Sequence, residues 1–318
     1  MNPFSRLFSA EASTGAARTD AIFVGVLAFS VVILLVVLVL VVGFAAIYRR
    51  GSKARRGDLP AWVSREVEIG WTAATLFIAL FIFWWASSAQ FSQWTAPPGA
   101  LEIHVVGRQW MWKVQHPSGA REINMLHAPL GVPVRLVMTS QDVIHSFYVP
   151  AFRMKQDVLP GRYTETWFKA LRPGTYDLYC SEYCGLDHSA MTGHVVIMAP
   201  ADYARWARAQ PDGDSLATQG QATFVSLGCS GCHGVEAKVA APPLTGVYGR
   251  RVALADGRRV TADETYLRDA ILDPAKNRVA GYAPAMPSYQ GVASEEDTVA
   301  LVAYLKSLSA PPATEAAR

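Results

Sequence analysis

The chain has 318 residues, of which 51% are hydrophobic and 17% are charged. This composition excludes an intrinsically disordered chain, and a net charge of +3 is too small to indicate a nucleic-acid-binding protein. Four cysteines are too few for a disulfide scaffold. They form two close pairs, each followed by a histidine, and this spacing indicates cofactor binding rather than cross-linking.

Two apolar segments near the N-terminus predict a pair of membrane-spanning helices. The run from Ala21 to Tyr48 carries no charge, and at about 1.5 Å per residue it exceeds a bilayer core of about 30 Å. A second apolar run, Ile69 to Ala86, ends at a cluster of tryptophans typical of a membrane interface. A secretory signal peptide is the alternative for the first run. Its length and the lack of a small-residue cleavage site argue against that reading.

The loop between the two runs predicts their orientation. Basic residues outnumber acidic ones in it, so the positive-inside rule places the loop in the cytoplasm and both chain termini outside. Residues 1–20 are then an N-terminal extracytoplasmic segment, and residues 21–95 are the transmembrane hairpin. The charged loop residues are Arg49, Arg50, Lys53, Arg55, Arg56 and Arg65 against Asp58 and Glu66.

The pattern changes twice after the hairpin. Residues 96–210 contain short alternating runs separated by Gly and Pro, which predict the antiparallel strands of a cupredoxin-like all-β sandwich, followed by a short helix over 201–210. Residues 211–217 read as a linker, and residues 218–318 carry helical periodicity. The predicted fold class is a two-helix hairpin, then an all-β sandwich, then an all-α domain.

The segment from Cys180 to Met191 concentrates soft metal ligands between two predicted strands. It also contains Cys184 and His188, so that it offers two thiols, an imidazole and a thioether. Thiolates and thioethers together favour copper, and His145 on an earlier strand completes a set typical of copper-binding sandwiches. Two thiolates can bridge two copper ions and so spread one electron over the pair. A Cys180–Cys184 disulfide and a structural zinc are the alternatives, but neither accounts for Met191.

The second cysteine pair lies in the C-terminal part. Cys229 and Cys232 with His233 form the C-x-x-C-H sequence to which a haem is attached through two thioether bonds. His233 is then the proximal iron ligand, and a methionine on the other face raises the reduction potential. Met286 is the best candidate, because no other methionine follows His233. A chance match or a redox-active dithiol is the alternative.

Segments across residues 20–210 resemble subunit II of the haem-copper cytochrome c oxidases. They are EVEIGW, GRQWMW, IHSFYVP and CSEYCGLDHSAM. The resemblance implies a binuclear copper centre of the type called CuA. Its implied ligands are Cys180 and Cys184 as bridges, His145 and Met191 on one copper, and His188 with the backbone carbonyl of Glu182 on the other.

The same resemblance gives roles to three further side chains. Trp110 matches the tryptophan through which electrons enter from soluble cytochrome c, although a fused donor domain could change its use. Glu68 matches a glutamate at the mouth of a proton channel into subunit I, and an ordinary interfacial carboxylate is the alternative. The side chain of Glu182 matches one that faces a magnesium ion shared with subunit I.

Residues 218–318 resemble class I cytochrome c in GQATF, APPLTGVYGR and the terminal helix SEEDTVALVAYLKSL. Pro242 matches the proline whose carbonyl orients the proximal imidazole, and Arg250 matches the arginine near a haem propionate. The contact between the first and last helices is matched by Gly220, Phe224 and Tyr304. Four histidines match no ligand in either part and are interpreted as structural or surface residues: His104, His116, His127 and His194.

The order of hairpin, CuA sandwich and cytochrome c domain resembles the subunit II with a fused cytochrome c domain of bacterial oxidases. It implies that the chain takes electrons from a cytochrome c-type donor through haem c and passes them through CuA to subunit I, where O2 is reduced to water and protons are translocated. The implied partners are subunits I and III, the donor and membrane lipid, and no nucleic acid. The implied location is the bacterial inner membrane, with both redox domains on the periplasmic side.

Three alternatives stay open at this point. A CuA-containing nitric oxide reductase subunit shares much of the pattern. A quinol oxidase subunit II keeps the hairpin and the sandwich but lacks the copper ligands, all of which are present here. A membrane-anchored electron-transfer protein without a catalytic partner is the non-enzymatic reading, against which Glu68 argues.

Overall fold

The computed structural model describes residues 10–54, 57, 61–210, 215–234 and 240–309. The chain divides into two compact units. One unit comprises Thr14–Thr95, and the other, called the outer unit, combines Met1–Ser13 with Ala96–Arg318.

The first unit is a pair of helices, α1 (Thr14–Ile47) and α2 (Ala61–Trp94). Both are long and apolar enough to cross a membrane, because an 18-residue window has a mean hydropathy of 3.4 within Thr14–Ile47 and of 1.8 within Arg65–Trp94. They run antiparallel, because the Arg18 guanidinium near the start of α1 donates to the Ser92 hydroxyl near the end of α2 at 2.8 Å. The predicted hairpin is therefore present.

The boundary of the first helix differs from the prediction. Helix α1 begins at Thr14 instead of Ala21, because the polar residues before the apolar run continue its helical turn. Ala12 and Ser13 belong to the outer unit: the Ala12 amide donates to the Ala151 carbonyl, and the Ser13 hydroxyl donates to the Phe152 carbonyl, each at 3.0 Å. The predicted segment 1–20 is thus divided between the two units. In the basic loop, Arg55, Arg56 and Asp58 lie outside the described residues.

The sandwich consists of two five-stranded sheets with the orders β3-β2-β1-β5-β8 and β4-β10-β9-β6-β7. Their inner faces enclose a core that includes the fully buried Trp112, Leu136 and Phe147. The strands are β1 Leu101–Arg108, β2 Met111–Gln115, β3 Arg121–Ile123, β4 Met125–Pro129, β5 Pro133–Ser140, β6 His145–Val149, β7 Met154–Val158, β8 Thr164–Lys169, β9 Gly174–Cys180 and β10 Thr192–Met198.

The pairing of the strands departs from the expected antiparallel pattern in two places. Strands β1 and β5 are parallel, and so are β4 and β10. The long connections between these strands make a parallel pairing possible, since a parallel pair cannot be closed by a tight turn. The sandwich ends in helix α3 (Pro200–Ala209), close to the predicted helix over 201–210.

The C-terminal domain is formed by helices α4 (Leu216–Ser226), α5 (Ser230–His233), α6 (Glu264–Leu272) and α7 (Glu295–Ser307). A two-stranded hairpin of β11 (Arg251–Ala253) and β12 (Arg259–Thr261) interrupts the otherwise helical domain, which was expected to be all-α. Helix α4 begins at Leu216, two positions before the predicted start of the domain, because Ser215 caps it by accepting from the Thr218 amide.

The first and last helices of this domain pack closely at a glycine. A Cβ atom added at Gly220 would lie 1.9 Å from the Ala300 carbonyl oxygen, so only glycine allows this approach. The Phe224 and Tyr304 rings pack beside it with centroids 5.4 Å apart. Ser294 and Asp297 form a reciprocal capping box at the start of α7.

Candidate metal centre and cofactor pocket

The loop between β9 and β10 brings the sulfur ligands together. The Sγ atoms of Cys180 and Cys184 are 3.8 Å apart, which is not a disulfide. The Cys184 Sγ lies 3.8 Å from the Met191 Sδ and 3.4 Å from the His188 Nδ1. The Cys180 Sγ lies 3.2 Å from the Glu182 carbonyl oxygen, whereas the Glu182 side chain is exposed. The twelve-residue loop therefore positions five of the six implied donors within one small volume.

His145 enters the cluster from the neighbouring strand. Because β6 pairs with β9 so that Phe147 lies opposite Cys180, His145 is placed beside the loop, with its Nδ1 4.0 Å from the Cys180 Sγ. Its Nε2 lies 2.8 Å from Asp142 Oδ1. Gly107 leaves room for the imidazole, since a Cβ atom there would come within 3.0 Å of the ring.

The cluster is buried and its thiols are electrostatically coupled. Burial opposes ionisation of Cys180, but hydrogen bonds from His145 and from the Ser146 backbone outweigh it and lower the pKa of this thiol to about 7. Burial and the neighbouring Cys180 charge raise the pKa of Cys184, because two adjacent thiolates repel each other. A positive ion between the two sulfurs would remove this repulsion.

The donor set fits copper. Ligand atoms of His145, Cys180 and Cys184 all lie within 4.8 Å of one another, and Met191 adds a soft thioether that zinc and hard cations do not require. His145, Cys180, Cys184 and Met191 are buried, so a bound ion would be shielded from water. The free thiols argue against the disulfide alternative.

Trp110 sits directly over the cluster. Its indole Nε1 donates to the Cys184 carbonyl oxygen at 3.2 Å, and the Gln109 side-chain amide donates to the same oxygen at 2.8 Å. The Gln109 backbone amide donates to Asp142 Oδ2 at 2.8 Å. Asp142 thus connects His145 to the loop that carries Trp110.

Asp142 and Gln109 were missed by the sequence analysis. Asp142 lies three residues before His145, and this short spacing was a signal that could have suggested a partner for the imidazole. Gln109 offered no such signal, because its contact with Cys184 spans 75 positions of sequence.

The second cysteine pair opens onto a pocket of about 430 Å³ in the C-terminal domain. This volume lies within the range typical of cofactor sites, about 300–1,000 Å³. Cys229, Cys232, His233 and Met286 all line it, and apolar side chains such as Leu267 and Leu301 form much of its wall. Two thiols, an imidazole and a thioether around an apolar pocket fit a covalently attached haem.

The His233 ring is oriented by the backbone. Its Nδ1 lies 3.1 Å from the Pro242 carbonyl oxygen, which leaves Nε2 available to a metal. Burial lowers the pKa of His233 and so favours the neutral imidazole that binds iron. Arg250 does not line the described pocket; its guanidinium donates to the Pro243 carbonyl at 3.2 Å.

The four remaining histidines lie away from both sites. The ring nitrogens of His104 and His116 contact carboxylates of Glu102 and Glu122, at 3.1 and 2.8 Å. His127 also contacts Glu122, and the exposed His194 lies near Asp177. Glu68 lies on α2 with an exposed side chain.

Comparisons with known proteins identify both parts of the outer unit. The family model "Cytochrome C oxidase subunit II, periplasmic domain" matches residues 118–199, and the family model "Cytochrome c" matches residues 217–309. The first of these domains implies CuA copper and the second implies haem. The class defined by this fold and these sites is therefore a protein in which a pair of apolar helices is followed along the chain by a copper-binding sandwich and a cytochrome c domain.

Relatives name the family. The cytochrome c oxidase subunit 2 of Alkalihalophilus pseudofirmus is 32% identical over 295 residues, which cover 87% of this chain and 84% of the relative. The alternative cytochrome c oxidase subunit 2 of Bradyrhizobium diazoefficiens is 34% identical over 147 residues, 36% of this chain and 53% of the relative. The chain belongs to the cytochrome c oxidase subunit 2 family.

A solved structure is similar to part of the chain. The periplasmic domain of subunit II of the cytochrome oxidase of Bradyrhizobium japonicum is 32% identical, with a TM-score of 0.35, and the match covers 36% of this chain and 96% of that one.

Proposed function

We propose that this chain is the electron-entry subunit of a respiratory terminal oxidase. It accepts electrons from a cytochrome c-type donor at the haem c of its C-terminal domain and passes them by way of CuA to subunit I, which reduces O2 to water coupled to proton translocation. The observation that carries the proposal is the presence of two complete donor sets in one outer unit, one around Cys180 and Cys184 and one around His233 and Met286.

The residues of the chain described above would hold the two groups and adjust their properties. Cys180, Cys184, His145, Met191, His188 and the carbonyl of Glu182 would bind the copper pair, which supplies one-electron redox chemistry when present. Asp142 contacts the His145 Nε2, on the side of the ring away from Cys180, and this contact limits movement of the imidazole when the charge of the site changes. Trp110 and Gln109 fix the Cys184 carbonyl, so the loop cannot shift freely.

Membrane attachment follows from the two apolar helices, and the "periplasmic domain" family model supports an extracytoplasmic outer unit. The residues just before α1 belong to the same unit as the sandwich, since Ala12 and Ser13 bond to Ala151 and Phe152. We propose that both ends of the hairpin lie on the extracytoplasmic side. We assign the chain to the bacterial inner membrane, with Glu68 near the cytoplasmic side as the proposed proton-channel residue.

The family places the chain in a complex with subunit I. We propose subunit III and a reduced cytochrome c-type donor as further partners, and a magnesium ion between Glu182 and subunit I. The exposure of the Glu182 side chain, beside a carbonyl that contacts Cys180, is compatible with a second ion at this edge. The named relatives are cytochrome c oxidase subunits, which does not favour the nitric oxide reductase alternative.

The test is to purify the complex that contains this chain and to measure its metal content and its consumption of oxygen and nitric oxide. We expect two coppers and one covalently bound haem per copy of the chain, and oxygen consumption driven by a reduced cytochrome. Copurification of a large haem-bearing membrane subunit is expected as well. A preparation that consumes nitric oxide but not oxygen, or that lacks copper, would overturn the proposal.

A further inference from the structure

The outer face of one sheet of the sandwich is buried, although such a face usually meets solvent. In the sheet β3-β2-β1-β5-β8, alternate residues point away from the sandwich core, and the register aligns them in rows across the strands. Five of these outward residues are nevertheless at most 4% exposed: His104, Val106, Gln115, Val137 and Thr139. A second layer therefore covers this face.

Around Val137 the covering layer is the C-terminal domain. Val137 and Tyr163 of the sandwich form one buried apolar cluster with Leu216 of α4 and with Val299 and Ala300 of α7. This cluster joins the two domains along the helix whose opposite side contributes to the haem-pocket wall through Leu301 and Leu305.

A charged cluster surrounds one end of this contact. The Lys306 ammonium at the end of α7 lies 2.7 and 2.9 Å from the two carboxylate oxygens of Glu102 on β1 and 2.9 Å from Glu264 on α6. The Arg135 guanidinium on β5 contacts the same two carboxylates, at 2.8 and 3.3 Å. The Tyr248 hydroxyl donates to Glu264 at 2.7 Å. Each domain thus contributes one cation and one anion, and each cation contacts both anions.

A separate pair fixes the other end. The Lys113 ammonium on β2 lies 2.5 Å from the Glu296 carboxylate in the first turn of α7, and the Gln141 amide donates to the same carboxylate at 2.7 Å. Both side chains of the ion pair are about one quarter exposed, so the pair is partly shielded from water and salt. A further contact joins Arg121 on β3 to Gln219 on α4. Polar contacts at both ends of α7 define its direction on the sheet.

One cleft is lined both by a residue of the haem pocket and by residues that contact the copper site, whose loop of residues 180–191 is called the copper loop. A cleft of about 1010 Å³ lies between the domains, with Trp110 and Asp142 on the sandwich side and Leu272 and Asp273 on the other. Asp273 lines both this cleft and the haem pocket. On the opposite side of the cleft, Trp110 is hydrogen-bonded to Cys184 of the copper loop.

From these contacts we infer that the outer face of the β3-β2-β1-β5-β8 sheet is a docking surface that holds the C-terminal domain in one pose, and that Glu102, Lys113, Glu296 and Lys306 are positioning residues for electron transfer between the two sites. The inference rests on the proposed function. The step it serves moves one electron: the haem iron loses the electron that the copper pair gains, no bond forms or breaks and no proton moves.

Docking differs from transfer by a loosely tethered domain. A tethered domain reaches its target through repeated local encounters, at an effective concentration set by the linker, about millimolar for a short flexible one. A docked domain needs no encounter, because its apolar contact and its ion pairs persist. A change that weakens the interface without touching either site should slow electron transfer by a docked domain and leave transfer by a tethered domain unchanged.

The experiment uses the Lys113–Glu296 pair in the whole oxidase complex. We compare the unaltered chain, Lys113→Glu, Glu296→Lys and the doubly exchanged chain. The first measurement is the oxidation of Tyr163 by hydroxyl radicals, read by mass spectrometry, which reports exposure of the interface whether or not either cofactor is bound. The second is the rate at which CuA is reduced after photoreduction of haem c. Arg258→Glu with Asp256→Lys exchanges an exposed pair within the C-terminal domain and is the matched control.

We expect Tyr163 to be protected in the unaltered chain and in the control. Either single variant places like charges together, so Tyr163 oxidation should rise several-fold and the electron-transfer rate should fall about tenfold. The double exchange should restore both to within about twofold, because the pair is re-formed with reversed polarity. Rescue by the double exchange separates a lost contact from general misfolding.

Three results would overturn the inference. They are ready oxidation of Tyr163 in the unaltered chain, single variants that leave Tyr163 protected, and single variants that expose Tyr163 without slowing the transfer. Absence of copper or haem would overturn the proposed function instead, and the Tyr163 measurement would still report on docking.

Discussion

Asp142 holds His145 on one side and the Gln109 backbone on the other, with its two carboxylate oxygens 2.8 Å from the His145 Nε2 and 2.8 Å from the Gln109 amide nitrogen. A single side chain therefore connects a metal ligand to the loop of Trp110. The carboxylate also keeps its charge readily, since hydrogen bonds from Gln109, His145 and Val143 outweigh the effect of burial and lower the pKa of Asp142.

Replacing this carboxylate should weaken copper binding. Asp142→Asn retains the shape but removes the charge that orients the imidazole, and we expect copper affinity to fall about 10- to 100-fold. Competition with a copper chelator measures the change. Asp177→Asn, an exposed position on β9, is the control and should leave affinity unchanged. Equal affinities for Asp142→Asn and the unaltered chain would contradict the role given to Asp142.

The copper and haem sites should be separable by mutation. Cys180→Ser removes a bridging thiolate, so copper content and the paramagnetic resonance of a dinuclear copper pair should be lost while the haem stays attached and electron flow stops. Ser189→Ala, an exposed change in the same loop, should retain copper. Full copper content or unchanged turnover in Cys180→Ser would show that the assigned site is wrong.

The haem pocket allows the converse test. Met286→Ala removes the proposed sixth ligand, and because a thioether ligand raises the potential, we expect the reduction potential of the haem to fall. Redox titration of the haem absorption measures this, and CuA should still accept electrons from an added donor. Met198→Ala, in the sandwich, should not change the potential. An unchanged potential in Met286→Ala would exclude this methionine as the ligand.

The contact between α4 and α7 should not tolerate a larger residue. Gly220→Ala would place a Cβ atom 1.9 Å from the Ala300 carbonyl, so the helices must separate, at a cost of about 1–3 kcal/mol or more. Thermal unfolding followed by the haem absorption measures the loss. Gln221→Ala, on the exposed side of the same helix, should change stability little. Equal stability of the two variants would contradict the packing.

Acid should release the docked domain. Burial raises the pKa of Glu102, but His104 and Lys306 outweigh it and hold the pKa well below its usual range; for Glu264, Lys306 and Tyr248 likewise outweigh burial and lower the pKa. Arg135 faces both carboxylates as well. Carboxyls with lowered pKa values stabilise the docked state fully above the ordinary value of 4.5 and lose that contribution as the pH falls toward the lowered values.

We therefore expect Tyr163 to stay protected from hydroxyl radicals between about pH 8 and pH 5, and to become progressively exposed as the pH falls from the ordinary value of 4.5 toward the lowered pKa values. Glu102→Gln cannot ionise, so it should weaken protection at neutral pH and reduce the dependence on acid. Protection that increases as the pH falls would contradict the assigned sign.

The features that could be predicted from the sequence are those whose residues lie close together along the chain. The copper loop brings Cys180, Cys184 and Met191 together because they are near in sequence. The order of hairpin, sandwich and cytochrome domain is confirmed by the fold and by the family matches. For these features, hydrophobic periodicity and motif spacing were sufficient to predict the structure.

What the sequence analysis missed depends on contacts between distant segments. The parallel pairing of β1 with β5 and the contact of Gln109 with Cys184 arise only when the sheets pack. The sequence does contain a signal for the burial of the outer sheet face, because the consecutive residues Val105 and Val106 make both faces of β1 apolar. A strand apolar on both faces indicates cover on both sides, but it does not identify the covering element.

The full burial of Ala12 in the sandwich has a practical consequence for the design of a crystallisation fragment that lacks the two apolar helices. A fragment that begins after the second helix would lack residues 10–13, which precede the first helix and form part of the sandwich. The carbonyls of Ala151 and Phe152 would lose the hydrogen bonds from Ala12 and Ser13, and a cavity would remain in the apolar core. A better-designed fragment would graft residues 10–13 back by a short connector, or supply them as a peptide.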